Sequence, residues 1–333
     1  MFKANISLNL ECYKEALELY LSDEFRLLQP IWDLRHGYEF YLSSPLFPIV
    51  LSILFYFFSV LPWTIIDIWG RDWKWIQKYK IQPDKIVTWP LVRRAITVTA
   101  WNHVLYILPL SVAQWVWTPP HFLPDKAPTI MEFLFHQIGS LIIFDFEYWL
   151  WHTIHHKIRF LYRHVHALHH EYHSPNSWVT QYLHPWELIS VGLFTTTSPW
   201  VFNAHPLTCW SFQNFAISVS VDAHIGYDLP FLPHRWCKFW GGSVKHDMHH
   251  QKPLTNFEPF FTWWDTLFGY DCPPQMAGGY RPKKLLDWEK KRKQQQKERL
   301  AKAGYLMNND SEASEIPPSP LRCEPQPKYT EAM

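Results

Sequence analysis

Cysteine is scarce and poorly placed for chemistry: the five residues Cys12, Cys209, Cys237, Cys272 and Cys323 form no C-x-x-C pair. That spacing excludes a disulfide scaffold and a thiolate zinc site, and it suits a reducing compartment. Charge is also sparse, 18% of 333 residues, and 31 Lys and Arg against 30 Asp and Glu leave a net charge of +1. No global basic field exists to attract nucleic acid, so no nucleic-acid partner is expected. With 11 Gly and no G-x-G-x-x-G loop, the chain has no dinucleotide site of its own. What is plentiful is apolar: 20 Trp and 23 Phe are too many for a disordered chain.

Formal charge vanishes altogether from long stretches. Phe40 to Ile66 holds none, and the run from Leu46 is long enough to cross a hydrocarbon core of roughly 30 Å as a helix. Ala95 to Pro124 is a second such stretch, with Trp101, Trp115 and Trp117 placed for the interface. Ile130 to Trp151 reads as a third span, although Glu132, Asp145 and Glu147 interrupt it and must face protein or water. Leu188 to Val221 is divided by Pro199 and Pro206 into a helical hairpin that returns to its starting side. The loop between the first two spans carries Arg71, Lys74, Lys78, Lys80, Lys85, Arg93 and Arg94, which places it in the cytosol and the N-terminus in the lumen. Asn5-Ile6-Ser7 is then a glycosylation sequon on the correct side. Lys3, Glu11, Lys14 and Glu15 break up the apolar region a cleaved signal would need, so the first span is expected to act as the anchor. The expected fold is an all-α integral membrane protein: three transmembrane helices plus a helical hairpin, with a histidine-rich helical cap on the cytosolic side. Residues 1–39 form a lumenal segment and residues 40–271 the catalytic domain. Residues 272–333 form a tail that is first a solvated or membrane-surface helix and then disordered.

Of 19 His, 15 fall between His152 and His250, and nine of them make three copies of H-x-x-H-H: His152-His155-His156, His166-His169-His170 and His246-His249-His250. At this chain's own histidine frequency one copy is expected about 0.06 times, so composition does not account for three. On a helix, positions i, i+3 and i+4 share a face, and each box can aim two or three imidazoles at one point. Neighbouring imidazoles repel when protonated, and a bound metal resolves that conflict. Neutral imidazole suits Zn, Cu, Fe or Ni, and eight to ten donors exceed the four that one tetrahedral ion accepts, which points to two metals. His224 is the expected isolated donor, with Asp222 as a partner behind it, and His155 is included although it could sit behind the metal. His164, His173 and His234 are weaker candidates. A water-excluding wall is expected from Trp149, Trp151, Trp178, Trp186, Trp236, Trp240, Trp263 and Trp264.

The boxes and the segments around them (WHTIHHKIRFLYRHVHALHH, TQYLHPWELISVG, SVDAHIGYDLPF and VKHDMHHQKPLTNFEPFFTWWDTLFG) resemble the membrane fatty acid hydroxylase and sterol desaturase superfamily of di-iron proteins. With the N-terminal LLQPIWDLRHGYEFYLSSPLFPIVLSI, the likeness runs from about Leu28 to Asp271 and narrows to the cholesterol 25-hydroxylase-like group. The resemblance implies an endoplasmic-reticulum oxidoreductase that uses two Fe ions, molecular oxygen and external electrons to hydroxylate a sterol side chain. It assigns His152 and His156, His166, His169 and His170, and His246, His249 and His250 as ligands, with His224 the isolated one. Lys245 stands where members of this group often carry a further His, so that position is no ligand here. Neither His184-Pro185-Trp186 nor His205-Pro206-Leu207 continues into the His-Pro-Gly-Gly of a fused cytochrome b5, so electrons should come in trans, from cytochrome b5 or an NADPH-dependent reductase. A C4-methyl sterol oxidase or a desaturase shares the same boxes. A membrane metal transporter or metal-binding protein is the reading from another class.

Overall fold

The computed structural model describes residues 26–117 and 120–302; the Asn5 sequon, Cys12, Cys323 and the segment Asn308–Met333 lie outside them. Among the described residues the chain is helical, with no strand beyond two isolated bridges, Lys80–Tyr227 and Trp240–Phe261. The first uncharged stretch forms α1 (Phe47–Ile68). The second forms α2 (Trp89–Asn102) and α3 (Leu108–Trp117), joined through a π turn at His103–Ile107. The wider turn stands where Pro109 removes the donor that the Leu105 carbonyl would otherwise receive. α1 and the continuous Trp89–Trp117 helix are each long and apolar enough to cross a bilayer.

The third expected span is the first part of α4 (Ile130–Lys157), which is followed by the short α5 (Arg159–His164). The hairpin is α6 (Pro185–Trp200) and α7 (Pro206–His224). Its break lies at residues 201–205, between the two prolines. α6 runs through Pro199, and the chain reverses at Asn203, which adopts φ 48°, before Pro206 opens α7 at a position where a missing N–H costs nothing. The remaining helices are α8 (Gly242–Gln251), α9 (Trp263–Phe268) and α10 (Lys283–Lys302). α10 is not simply solvated: Leu285 is fully buried with Met248 and Cys272, and Trp288 packs on them. Glu289 adds ion pairs to Lys252 at 2.9 Å and Arg281 at 2.5 Å. The start of the tail is thereby docked on α8.

The chain divides into two compact units. The first takes Met1–Phe58, His103–Phe144 and Ile189–Ser218. Trp32 is its central buried ring, 4.5 Å from His205 and 5.7 Å from Trp210, and its Nε1 donates to the Pro124 carbonyl at 2.7 Å. Gly139 admits Phe202 so closely that a Cβ there would stand 2.4 Å from the ring.

The second unit takes Ser59–Asn102, Asp145–Leu188 and Val219–Met333, and it contains all three boxes. Polar contacts tie its helices together. Trp178 Nε1 donates to Thr64 Oγ1 at 2.7 Å, Asn102 Nδ2 to the Leu183 carbonyl at 2.7 Å, and the Tyr227 hydroxyl to Asp67 at 2.9 Å. Asp145, costly in an apolar helix, is fully buried and accepts from Phe260 N, Phe261 N and Trp264 Nε1.

Candidate metal centre

The last turns of α4 put His152 and His156, four residues apart, on one face. The second box is a 3₁₀ segment, His166–Glu171, in which His166, His169 and His170 are all buried. The third lies on α8, and His224 closes α7. The imidazoles gather into two groups: His152, His156, His166, His170 and His249, and His169, His224, His246 and His250, with ligand atoms in each within 4.8 Å of one another. The second and third boxes each serve both groups. All nine rings are buried.

The hydrogen bonds behind the rings decide which nitrogen is free. His152 Nδ1 donates to the Phe257 carbonyl at 2.8 Å, His249 Nδ1 to the Thr255 carbonyl at 2.7 Å and His224 Nδ1 to the Ser220 carbonyl at 2.7 Å. His166 Nδ1 donates to Glu187 Oε1 at 2.9 Å, both side chains being fully buried. An imidazole protonated at Nδ1 presents a lone pair at Nε2. Yet Nε2 faces Nε2 across 3.0 Å between His152 and His166, 3.1 Å between His249 and His170, and 2.9 Å between His246 and His224. Lone pairs at such distances repel unless a cation lies between them, and two nitrogens held at about 2.1 Å from one ion stand about 3.0–3.4 Å apart. Nine neutral nitrogens with no thiolate or carboxylate among them fit two borderline transition-metal ions.

Burial first, and then mutual repulsion, holds His166, His169, His170, His246, His249 and His250 well below the usual imidazole range. They are neutral at pH 7, as ligands must be. The sign of the linkage follows. Below about pH 6.5 the unfolded chain takes up protons that the folded one refuses, so metal-free protein loses stability as pH falls, by up to about 1.4 kcal/mol per pH unit for each such histidine. Thermal unfolding of chelator-treated protein from pH 7.5 to 5.5 checks this, and an unchanged midpoint across that range would contradict it.

His155 is the box residue left outside. Its ring stacks on Trp151 at 3.5 Å and its Nδ1 donates to the Trp151 carbonyl, and it belongs to neither group. Asp222 does not support His224, whose Nδ1 is taken by Ser220. His234 pairs with the buried Asp228, while His164, exposed, lies against Phe160. His173 is also exposed and in neither group. Lys245 binds Asp271 and the Cys272 carbonyl. The tryptophan wall is smaller than expected. Trp186 and Trp236 are exposed, and Trp178 bonds to Thr64; Trp151 alone of the eight lies ring to ring against box histidines, with His155 and His166. Tyr148, Tyr162 and Phe257 lie 5.3–5.4 Å from His152 or His156 and complete the cover. Glu187 and the Thr255 and Phe257 carbonyls are functional groups that pattern reasoning missed. Glu187 could have been noticed as the one acid at the mouth of an uncharged stretch; carbonyls leave no mark in a sequence.

A family model described as "Fatty acid hydroxylase" matches residues 137–270. The chain is 48% identical over 251 residues to "Cholesterol 25-hydroxylase-like protein 2" of Danio rerio, covering 74% of this chain and 90% of that one. It is 44% identical over 246 residues to "Cholesterol 25-hydroxylase-like protein" of Caenorhabditis elegans, covering 74% and 82%. With "Cholesterol 25-hydroxylase" of Homo sapiens it is 37% identical over 244 residues, covering 73% and 89%. No solved structure matches.

Proposed function

Because this chain belongs to the fatty acid hydroxylase family, with cholesterol 25-hydroxylase-like relatives matched over most of their length, we propose that it is a di-iron sterol monooxygenase that converts cholesterol to 25-hydroxycholesterol. The observation that carries this reading is the pair of buried imidazole groups whose Nε2 lone pairs converge. His152, His156, His166, His170 and His249 would hold one ion, and His169, His224, His246 and His250 the other. Two iron ions, with molecular oxygen and two external electrons, supply the oxidant that an unactivated C–H bond demands and that zinc could not provide. The overall balance is R–H + O₂ + 2 e⁻ + 2 H⁺ → R–OH + H₂O.

The protein's own part is positioning and exclusion. Glu187 fixes the His166 ring and raises its basicity through Nδ1, and the Phe257, Thr255 and Ser220 carbonyls do the same for His152, His249 and His224 without adding charge. Trp151, Tyr148, Tyr162 and Phe257 keep bulk water from the imidazoles. The electrons would reach the chain from a separate carrier, cytochrome b5 or an NADPH-dependent reductase, at the endoplasmic-reticulum membrane.

The test is direct. Membranes containing the chain, given cholesterol, oxygen and a reductant, should yield 25-hydroxycholesterol by mass spectrometry, and the active protein should carry two irons. A ring-oxidised or desaturated product, one iron or fewer per chain, or turnover sustained by zinc alone would overturn the reading.

A further inference from the structure

α10 concentrates positive charge. Between Lys283 and Lys302 seven Lys and two Arg stand against three acids, a net +6 in a chain whose total is +1. One side of the helix is fixed to the fold: Leu285 is fully buried with Met248 and Cys272, Trp288 packs on them, and Glu289 pairs with Lys252 and Arg281. The opposite side is cationic. Lys283, Lys290 and Lys297 recur at a seven-residue step that keeps them on one face, with Lys284, Lys291 and Lys293 beside them. All six are exposed, and none forms an ion pair among the described residues. Of the other acids on the helix, Asp287 is exposed and Glu298 accepts from Gln294 at 2.9 Å.

Composition and position both point to one kind of partner. From Glu289 to Arg299 there is no apolar residue, whereas a helix that enters lipid needs an apolar side to bury there. A face of charge alone suits a partner that comes and goes. Hydroxylation as balanced above consumes two electrons, and a one-electron carrier surrenders one per visit, becoming oxidised as the centre is reduced. It must then leave and return, and such encounters use small interfaces steered by complementary charge. The face also leads inward. Arg292 lies over the Trp288 ring at 5.1 Å, Trp288 packs on Met248, and Met248 precedes His249 in the third box. One indole and one thioether thus separate the basic face from a histidine of the centre.

We propose that α10 is the docking face for the electron carrier, a soluble protein domain with an acidic surface around its redox group. This rests on the monooxygenase reading, which creates the need for a carrier.

Full-length protein in phosphatidylcholine nanodiscs, with the soluble haem domain of cytochrome b5 as the probe, tests it. Binding, read by the anisotropy of a dye on the oxidised domain, requires no turnover. Combining Lys290→Glu, Lys293→Glu and Lys297→Glu should weaken it about tenfold or more, and the matching Gln variant should lose less. Salt should weaken the parent far more than the Glu variant. A haem domain with its surface acids changed to Lys should prefer the Glu variant to the parent. In turnover the Glu variant should show a raised KM for the carrier at unchanged kcat, and parent-like rates with dithionite as the reductant. Equal affinity of parent and Glu variant for the haem domain overturns the proposal. So does binding of the parent to phosphatidylserine vesicles that the Glu variant loses while carrier binding is unchanged, a result that makes α10 a membrane-surface helix. Charge-dependent carrier binding with no hydroxylation from either reductant overturns the monooxygenase reading and leaves the docking face standing.

Discussion

His249→Ala and His169→Ala should each abolish turnover and lower bound iron while the protein stays in the membrane, whereas His155→Ala should keep both within a few-fold of the parent. The first two residues belong to different imidazole groups, so each change opens a different metal position. Loss of a group that merely supports a ligand costs about 10- to 100-fold in affinity or activity. Loss of a ligand itself should exceed that. The contrast with His155 gives the experiment its resolving power, because all three residues sit in the same H-x-x-H-H pattern and only geometry separates them. Iron content and product formation on purified membranes measure the outcome. If His155→Ala strips iron as thoroughly as His249→Ala, the exclusion of His155 from both imidazole groups is wrong.

Asp145→Ala should destabilise the fold more than a change at any box histidine. Its carboxylate accepts from the Phe260 and Phe261 amides, both at 3.0 Å, and from Trp264 Nε1 at 2.9 Å. Beside it, Asp265 accepts from Trp149 Nε1 at 3.1 Å and from the Glu258 amide at 2.7 Å. The two acids hold residues 257–265 against α4, and that segment begins with the Phe257 carbonyl that orients His152. Removing Asp145 leaves three donors without an acceptor, a cost of about 3–5 kcal/mol. Asp145→Asn, which keeps one carbonyl acceptor, should cost less and retain more iron. Unfolding in detergent, followed with iron content, reads both. An alanine variant within about 0.5 kcal/mol of the parent, the range typical of neutral surface changes, would remove Asp145 from this role.

The amino-acid sequence by itself determined that the chain is helical and apolar, that three boxes share one spacing, and that donors outnumber one ion's needs. Those are local properties. Helical periodicity ties each histidine to a face, and an uncharged run declares its preference for lipid wherever it is placed. Only the tertiary structure decided how the boxes are shared: His166 and His170 go to one group while His169, between them, goes to the other. The same holds for Glu187 behind His166, for the carbonyls behind His152, His224 and His249, and for His155, which stacks on Trp151 outside both groups. The turn at Asn203 and the docking of Leu285 on Met248 belong with them. Each depends on which faces meet across tens or hundreds of residues, and that choice is settled by the packing of all of them at once.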